Sequence, residues 1–314
     1  MKLTALLFIF LFFLSFLPLI TFSAPTNHSI YIFDKKNLVI SDLNIIGGNI
    51  TIINSRNIII KDNVISNSIY FGIFVYNSSN VTIIHNVISD AYYDGISIRK
   101  SKNITIEFNT IANNTNGNGI SVWDYSSFVN ITENHIINNQ CGVFVLFSSN
   151  VSVKDNVISN TSFYGVYLYD SNSVNIFNNS IFHSDVGVEI QYGGELTVFH
   201  NSIVIDLIGV YVGEGINSLS VINNLVKDSR YFGILVYIYP LVFNFTSNMF
   251  FNNTLNFFYA YNSTLPSETT ETSVIQQITS TTIHKTASHN LPYILAIVVI
   301  LVTLSSLIIR KRKR

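Results

Sequence analysis

Between Ile50 and Phe250, apolar and polar residues alternate in short bursts that recur with a period near 23 residues. From Gly72 the predicted inward positions are Ile73, Val75, Val81, Ile83 and Ile88; one period on they are Ile96, Ile98, Ile104, Ile106 and Ile111. Through nine repeats these five slots hold only Ile, Val, Leu or Phe. Period-two alternation over a few residues is the pattern of a half-buried strand. Each repeat therefore predicts three short strands, with no helix over residues 48–250. Two further columns keep the same beat. Asparagines stand at Asn63, Asn86, Asn109, Asn134, Asn156, Asn179, Asn201, Asn224 and Asn248, and glycines at Gly72, Gly95, Gly119, Gly142, Gly165, Gly187, Gly209 and Gly233.

A unit of this size cannot bury its apolar stripe alone, but stacked units can. Coils spaced by about 4.8 Å share backbone hydrogen bonds and enclose one apolar column. The prediction is an all-β solenoid of about nine coils, and the strong preference for right-handed crossovers between parallel strands fixes its hand. The asparagines then read as an amide ladder at a turn, and the glycines as tight or positive-φ backbone before a strand.

The ends of the chain carry different patterns. Lys2 precedes an apolar run to Phe22 with small residues at Ser23 and Ala24, which reads as a signal peptide over residues 1–24. The β-helix domain follows over residues 25–261. Residues 262–290 are rich in Ser and Thr and read as a solvated stalk. Residues 291–309 are apolar over about the length needed to cross a bilayer. The basic tail of residues 310–314 follows at once and marks the cytoplasmic side. The expected product is a single-pass membrane protein with its β-helix outside the cell.

The segment Gly72-Ile73-Phe74-Val75-Tyr76-Asn77-Ser78-Ser79-Asn80-Val81-Thr82-Ile83-Ile84-His85-Asn86-Val87-Ile88 resembles one turn of the NosD-type parallel β-helix repeat. More broadly, residues 37–261 are similar to the pectin-lyase-like superfamily. That resemblance implies the fold strongly and the function weakly. The superfamily holds polysaccharide lyases and hydrolases, tailspikes, adhesins, and accessory proteins of copper-centre assembly.

Composition narrows the choice. Charged residues make up 11% of the chain and the formal net charge is −1, which gives no basis for nucleic-acid binding. Cys141 is the single cysteine, and Met1 and Met249 are the only methionines, so neither a disulfide nor a sulfur-rich metal site is predicted and no cofactor is indicated. A NosD-like role in metal-centre assembly or export is a distant alternative on the same grounds.

Positions two and four after each glycine are expected to face solvent on one long face. They include Phe74/Tyr76, Ser97/Arg99, Ser121/Trp123, Phe144/Leu146, Tyr167/Tyr169, Glu189/Gln191, Tyr211 and Leu235/Tyr237. Exposed rings in such numbers suit sugar stacking or protein docking, so Tyr76, Trp123, Tyr167, Tyr169 and Tyr211 are the candidate carbohydrate-binding residues. For catalysis the candidates are Asp94, Arg99, Asp124 and Asp170, in the role of grouped acids with a basic partner that the superfamily resemblance implies. Lys100 and Asp124 share a slot in adjacent coils and are expected to form a ladder salt bridge. A second outward column runs Asp62, His85, Phe108, Glu133, Asp155, Asn178, His200, Asn223. Glycosylation sequons include Asn77, Asn80, Asn103, Asn150 and Asn262, several of them spelled by the repeat itself. The leading expectation is a non-catalytic, membrane-anchored module for adhesion or carbohydrate binding; the alternative is a tethered polysaccharide lyase or hydrolase.

Overall fold

The computed structural model describes residues 28–205, 207–238 and 240–260. The signal, stalk, membrane and tail segments and Asn262 lie outside the described residues. Within them the chain winds as a right-handed parallel β-helix of about ten turns, with strands and no helix.

Each coil has three sides. A glycine face holds strands such as Ile73–Tyr76 and Ile96–Arg99, a long-strand face holds Ser79–Ile84 and Lys102–Glu107, and a short-strand face holds Val87–Ser89 and Thr110–Ala112. Every pairing is parallel and joins equivalent positions, as in Ile73↔Ile96 and Ile96↔Ile120. In Val157–Phe177 and Ser180–Phe199 the pairing continues round the corners, so all three sides join into single strands of 21 and 20 residues.

The predicted inward slots are the core. Ile73, Ile83, Ile96, Ile106 and Ile131 are wholly buried, as are their counterparts through the middle of the rod, while Phe243, Phe245 and Phe250 near its C-terminal end are partly buried. The count of nine coils misses one at the N-terminal end, where Ile30–Phe33 pairs with Ile50–Ile53. That first coil is shorter, with Ile30 opposite Ile50, and it has no glycine before its first strand.

The asparagine ladder forms as expected. Asn109 Oδ1 accepts from the backbone N–H of Asn86 (2.9 Å) and from its Nδ2 (3.0 Å). Asn86 Nδ2 also donates to the carbonyls of Ile60 and Ile84. Only an amide supplies both the donor and the acceptor this geometry requires. A second corner carries a serine ladder that the repeat analysis missed: Ser55, Ser78 and Ser101 each donate a backbone N–H to the hydroxyl of the serine one coil on, ending at Ser126.

Of the two causes expected for the glycine column, tight backbone and positive φ, the structure shows the first. Positive φ among glycines is confined to Gly47, Gly193 and Gly215, none of them in the column. What the column requires is close approach: a Cβ on Gly95 would lie 2.4 Å from Ile111 Cγ2 and 2.9 Å from the carbonyl oxygen of Gly119. The left-handed turn conformation falls instead on columns of Asn and Asp with a few larger residues. The entire second outward column, from Asp62 (φ 55) to Asn223 (φ 54), adopts it. Asn and Asp tolerate that region better than other side chains with a Cβ, which accounts for much of the chain's asparagine.

Candidate functional site

The exterior of the glycine face is where structure and expectation part. Positions two and four after each glycine do point away from the core, but most are covered. Tyr167 is 1% exposed, Tyr211 4% and Trp123 8%, while Tyr76 and Tyr169 are half-buried. The reason lies in the coil spacing, which brings large side chains of successive coils into contact. Trp123 packs on Phe144 (5.4 Å between ring centroids), Phe144 stacks on Tyr167 (4.9 Å), and Tyr164 flanks Tyr167 (5.0 Å). A solvent-facing aromatic strip of Trp123, Tyr167 and Tyr211 is therefore not what this face presents.

Further along the rod, with three coils still to follow, the face buries a carboxyl group. Glu189 lies between Tyr167 and Tyr211 in the strand register. It accepts a hydrogen bond from Gln191 Nε2 and is hydrogen-bonded to Tyr164. Burial pushes Glu189 up to about 8, the hydrogen bonds opposing only in part. Tyr164 and Tyr211 are pushed upward too, chiefly by burial and then by the neighbouring Glu189. Beside this cluster Tyr192 donates to Glu214, and that bond raises Tyr192 to about 12.

The four candidate catalytic residues do not converge. Asp94 is buried and committed: Oδ1 accepts from Asn118 N and Nδ2 (3.0 and 2.9 Å), and Oδ2 accepts from the Ser121 hydroxyl (2.7 Å). Ser121 also meets the Ser97 hydroxyl (3.0 Å), so an outward serine pair is sealed beneath the carboxylate. Asp124 and Asp170 are both positive-φ turn residues of one column, separated by the coil that carries Phe147. Arg99 lies among rings, its Cζ 5.4 Å from the centroid of Phe71, 5.7 Å from Phe74 and 5.0 Å from Trp123. The expected Lys100–Asp124 bridge does not form; Lys100 Nζ donates to Tyr76 Oη (3.3 Å). Lys154 pairs with Asp155 (3.2 Å), which also accepts from Asn178 Nδ2.

Exposed rings occur elsewhere, Tyr125 and Tyr31 among them, and three of them cluster in the turns that lead into the glycine face. Tyr70 is 57% exposed, Tyr92 55% and Tyr93 41%. Tyr93 N donates to Tyr70 O (2.8 Å), so the turns stack in register and the two rings lie nearly parallel, 6.3 Å apart at 16°. Tyr92 meets Tyr93 edge-on (4.9 Å). The next coil ends the column with Gly117, where a Cβ would fall 2.0 Å from Tyr93 O. Phe71 contacts Tyr93 (5.9 Å) and connects this platform to Arg99. The sequence does carry a signal for it, since Tyr70-Phe71 and Tyr92-Tyr93 recur one period apart just before a glycine. The sequons Asn77, Asn80, Asn103 and Asn150 are all exposed and have positive φ, Asn77 between strands and the other three near the start of the long strands.

Two overlapping stretches, residues 20–181 and 118–290, match the family model of the right-handed β-helix region. The chain belongs to this family. No curated protein matches it. Among solved structures, this β-helix is similar to a doubly substituted form of the periplasmic alginate epimerase AlgG, with 15% identity over 72% of this chain and 70% of that one and a TM-score of 0.57. It is also similar to the Streptococcus pneumoniae surface protein and adhesin PfbA, at 15% identity over 75% and 77% with a TM-score of 0.54. An alginate lyase from Paenibacillus sp. is similar at 10% identity over 71% and 99%, with a TM-score of 0.52. At these identities the shared feature is the fold.

Proposed function

We propose that this β-helix is a surface rod, tethered to the membrane by residues 291–309, that binds polysaccharide without cleaving it. The observation that carries the reading is the exposed, parallel pair Tyr70 and Tyr93 with Tyr92 beside them. Aromatic faces held rigidly by a backbone ladder offer stacking area at little entropic cost. Support for the non-catalytic part comes from Asp94, Arg99, Asp124 and Asp170, which form no ion pair with one another among the described residues, Asp94 being bonded to Asn118 and Ser121 instead. The fold is one used by a surface adhesin and by alginate-acting enzymes. The tether rests on the apolar segment and its basic flank.

The test is a polysaccharide array probed with the full-length chain in detergent, followed by product analysis. Replacing Tyr70 and Tyr93 together by Ala is expected to abolish retention and leave the unfolding midpoint in place. The retained polymer is expected to keep its length on prolonged incubation. A second reading, a tethered lyase or hydrolase, is favoured by Glu189, a buried carboxyl with a tyrosine hydroxyl at hydrogen-bond distance. Polymer shortening that disappears in Glu189→Gln or Asp124→Ala would establish that reading in place of the first.

A further inference from the structure

The platform adjoins a run of cations whose partners are rings instead of carboxylates. Arg99 is enclosed by Phe71, Phe74 and Trp123, and its Nε is buried with no hydrogen-bond acceptor. Lys100 Nζ lies 5.5 Å from the Tyr76 centroid, and Lys102 Nζ lies 5.2 Å from that of Phe128. The ion pairs formed among the described residues are Lys61–Asp62 and Lys154–Asp155, so none of these three charges is neutralised by one. The nearest acids do not change this. Asp94 is saturated by Asn118 and Ser121, and Asp124, one coil beyond Lys100, makes no ion pair with it.

Arg99 Cζ lies 5.0–5.7 Å from three ring centroids, and the two terminal Nη groups of a guanidinium can give two parallel hydrogen bonds to a carboxylate or sulfate. Ring contact holds the cation in place without consuming those donors. Arg99 is linked to the exposed tyrosines through Phe71, which touches both Tyr93 and the guanidinium.

Resting on the polysaccharide-binding reading above, we propose that the ligand is an acidic polymer. Its sugar rings stack on Tyr70, Tyr92 and Tyr93, and its anionic groups are taken by Arg99, with Lys100 and Lys102 adding attraction along the coil. The cations make the site selective for anionic sugars, and the rings make it selective for sugars over free anions.

The experiment compares alginate, a polyuronate, with the same polymer after carboxyl reduction, using the full-length chain in detergent. Alginate is expected to bind at least about tenfold more tightly than the reduced polymer, in line with one charge-assisted bidentate contact, and added salt should erase the difference. Arg99→Lys keeps the charge and the ring contacts but removes the fork, so it should lose most of the preference. Lys100→Gln, at an exposed turn, should weaken the salt dependence while leaving the unfolding midpoint unchanged. Equal retention of both polymers, unaffected by Arg99→Lys, would overturn the anionic assignment and leave polysaccharide binding standing. Retention of neither polymer, nor of any other polysaccharide on the array, would overturn both.

Discussion

Two stretches of the glycine face put opposite chemistry into the same register positions. Two residues after the glycine, one stretch has Ser97 and the other Glu189; four residues after, one has Arg99 and the other Gln191. Around Arg99 the rings act as walls for a cation that keeps its charge and part of its exposure. Around Glu189 the rings exclude water, and the carboxyl keeps its proton up to about pH 8 because no cation is near enough to favour the charged form. The backbone is nearly the same in both places. A repeat determines where a side chain stands, and the neighbours one coil above and below determine whether a charge there survives. Arg holds its charge under conditions that neutralise a carboxyl, because its guanidinium does not deprotonate in proteins.

The largest expected effect concerns the buried carboxyl. Glu189 has an ordinary value of 4.5 and is pushed up to about 8 in the fold. The folded state therefore holds this proton more tightly than the unfolded chain does. Its stabilisation is complete below pH 4.5, falls as pH rises toward 8, and changes little above that. The loss is on the order of 5 kcal/mol, as an upper figure. Urea unfolding of Glu189→Gln as a function of pH should flatten this decline, and a variant that retained the full slope would place its origin in another group.

Next in size is a cut between the two regions. Asn134 Nδ2 donates to Ile106 O, Thr132 O and Asn156 Oδ1, and its Oδ1 accepts from Asn109 N and Nδ2. Asn134→Ala orphans several buried groups at once, so a loss of about 3 kcal/mol or more is expected in urea unfolding. Hydrogen exchange should show protection falling at both the Arg99 and the Glu189 coils. Loss on one side alone would mean that the rod unfolds in separable halves. The smallest effect belongs to Lys100→Gln, expected to move stability by less than about 0.5 kcal/mol, as an exposed site without an ion pair should. A larger change would give Lys100 a structural role and weaken its assignment to ligand binding.

The architecture was legible because a solenoid repeats its constraints. The inward slots, the asparagine ladder and the strand pattern all announce themselves at one period. Even the serine ladder was readable, since Ser55, Ser78 and Ser101 keep the same spacing. The site was not legible by the same means. Tyr70, Tyr92 and Tyr93 sit in turns outside the strand register, where no alternation predicts direction. The burial of Tyr167 depends on Phe144 and Tyr164, which are distant in sequence or off the strand pattern. Alternation tells inside from outside; it does not tell an outside position that is covered from one that is bare. The sequons are a mixed case. No ladder asparagine is one, because two residues later the chain places Ile, Val or Phe inward, so the repeat confines the motif to other columns.

The amide ladder also has a direction. Each rung's backbone N–H donates to the asparagine of the coil that follows, as Asn86 N does to Asn109 Oδ1 and Asn134 N does to Asn156 Oδ1. A chain is made from its N-terminus, so the most recently formed coil always holds a backbone N–H whose acceptor has yet to be synthesised. The unfinished end of the rod is thus a template that accepts one kind of completion, the next asparagine of the same chain arriving about 23 residues later. The ladder sets an order along the chain, the acceptor for each rung's backbone N–H being supplied by a residue that lies later in the sequence.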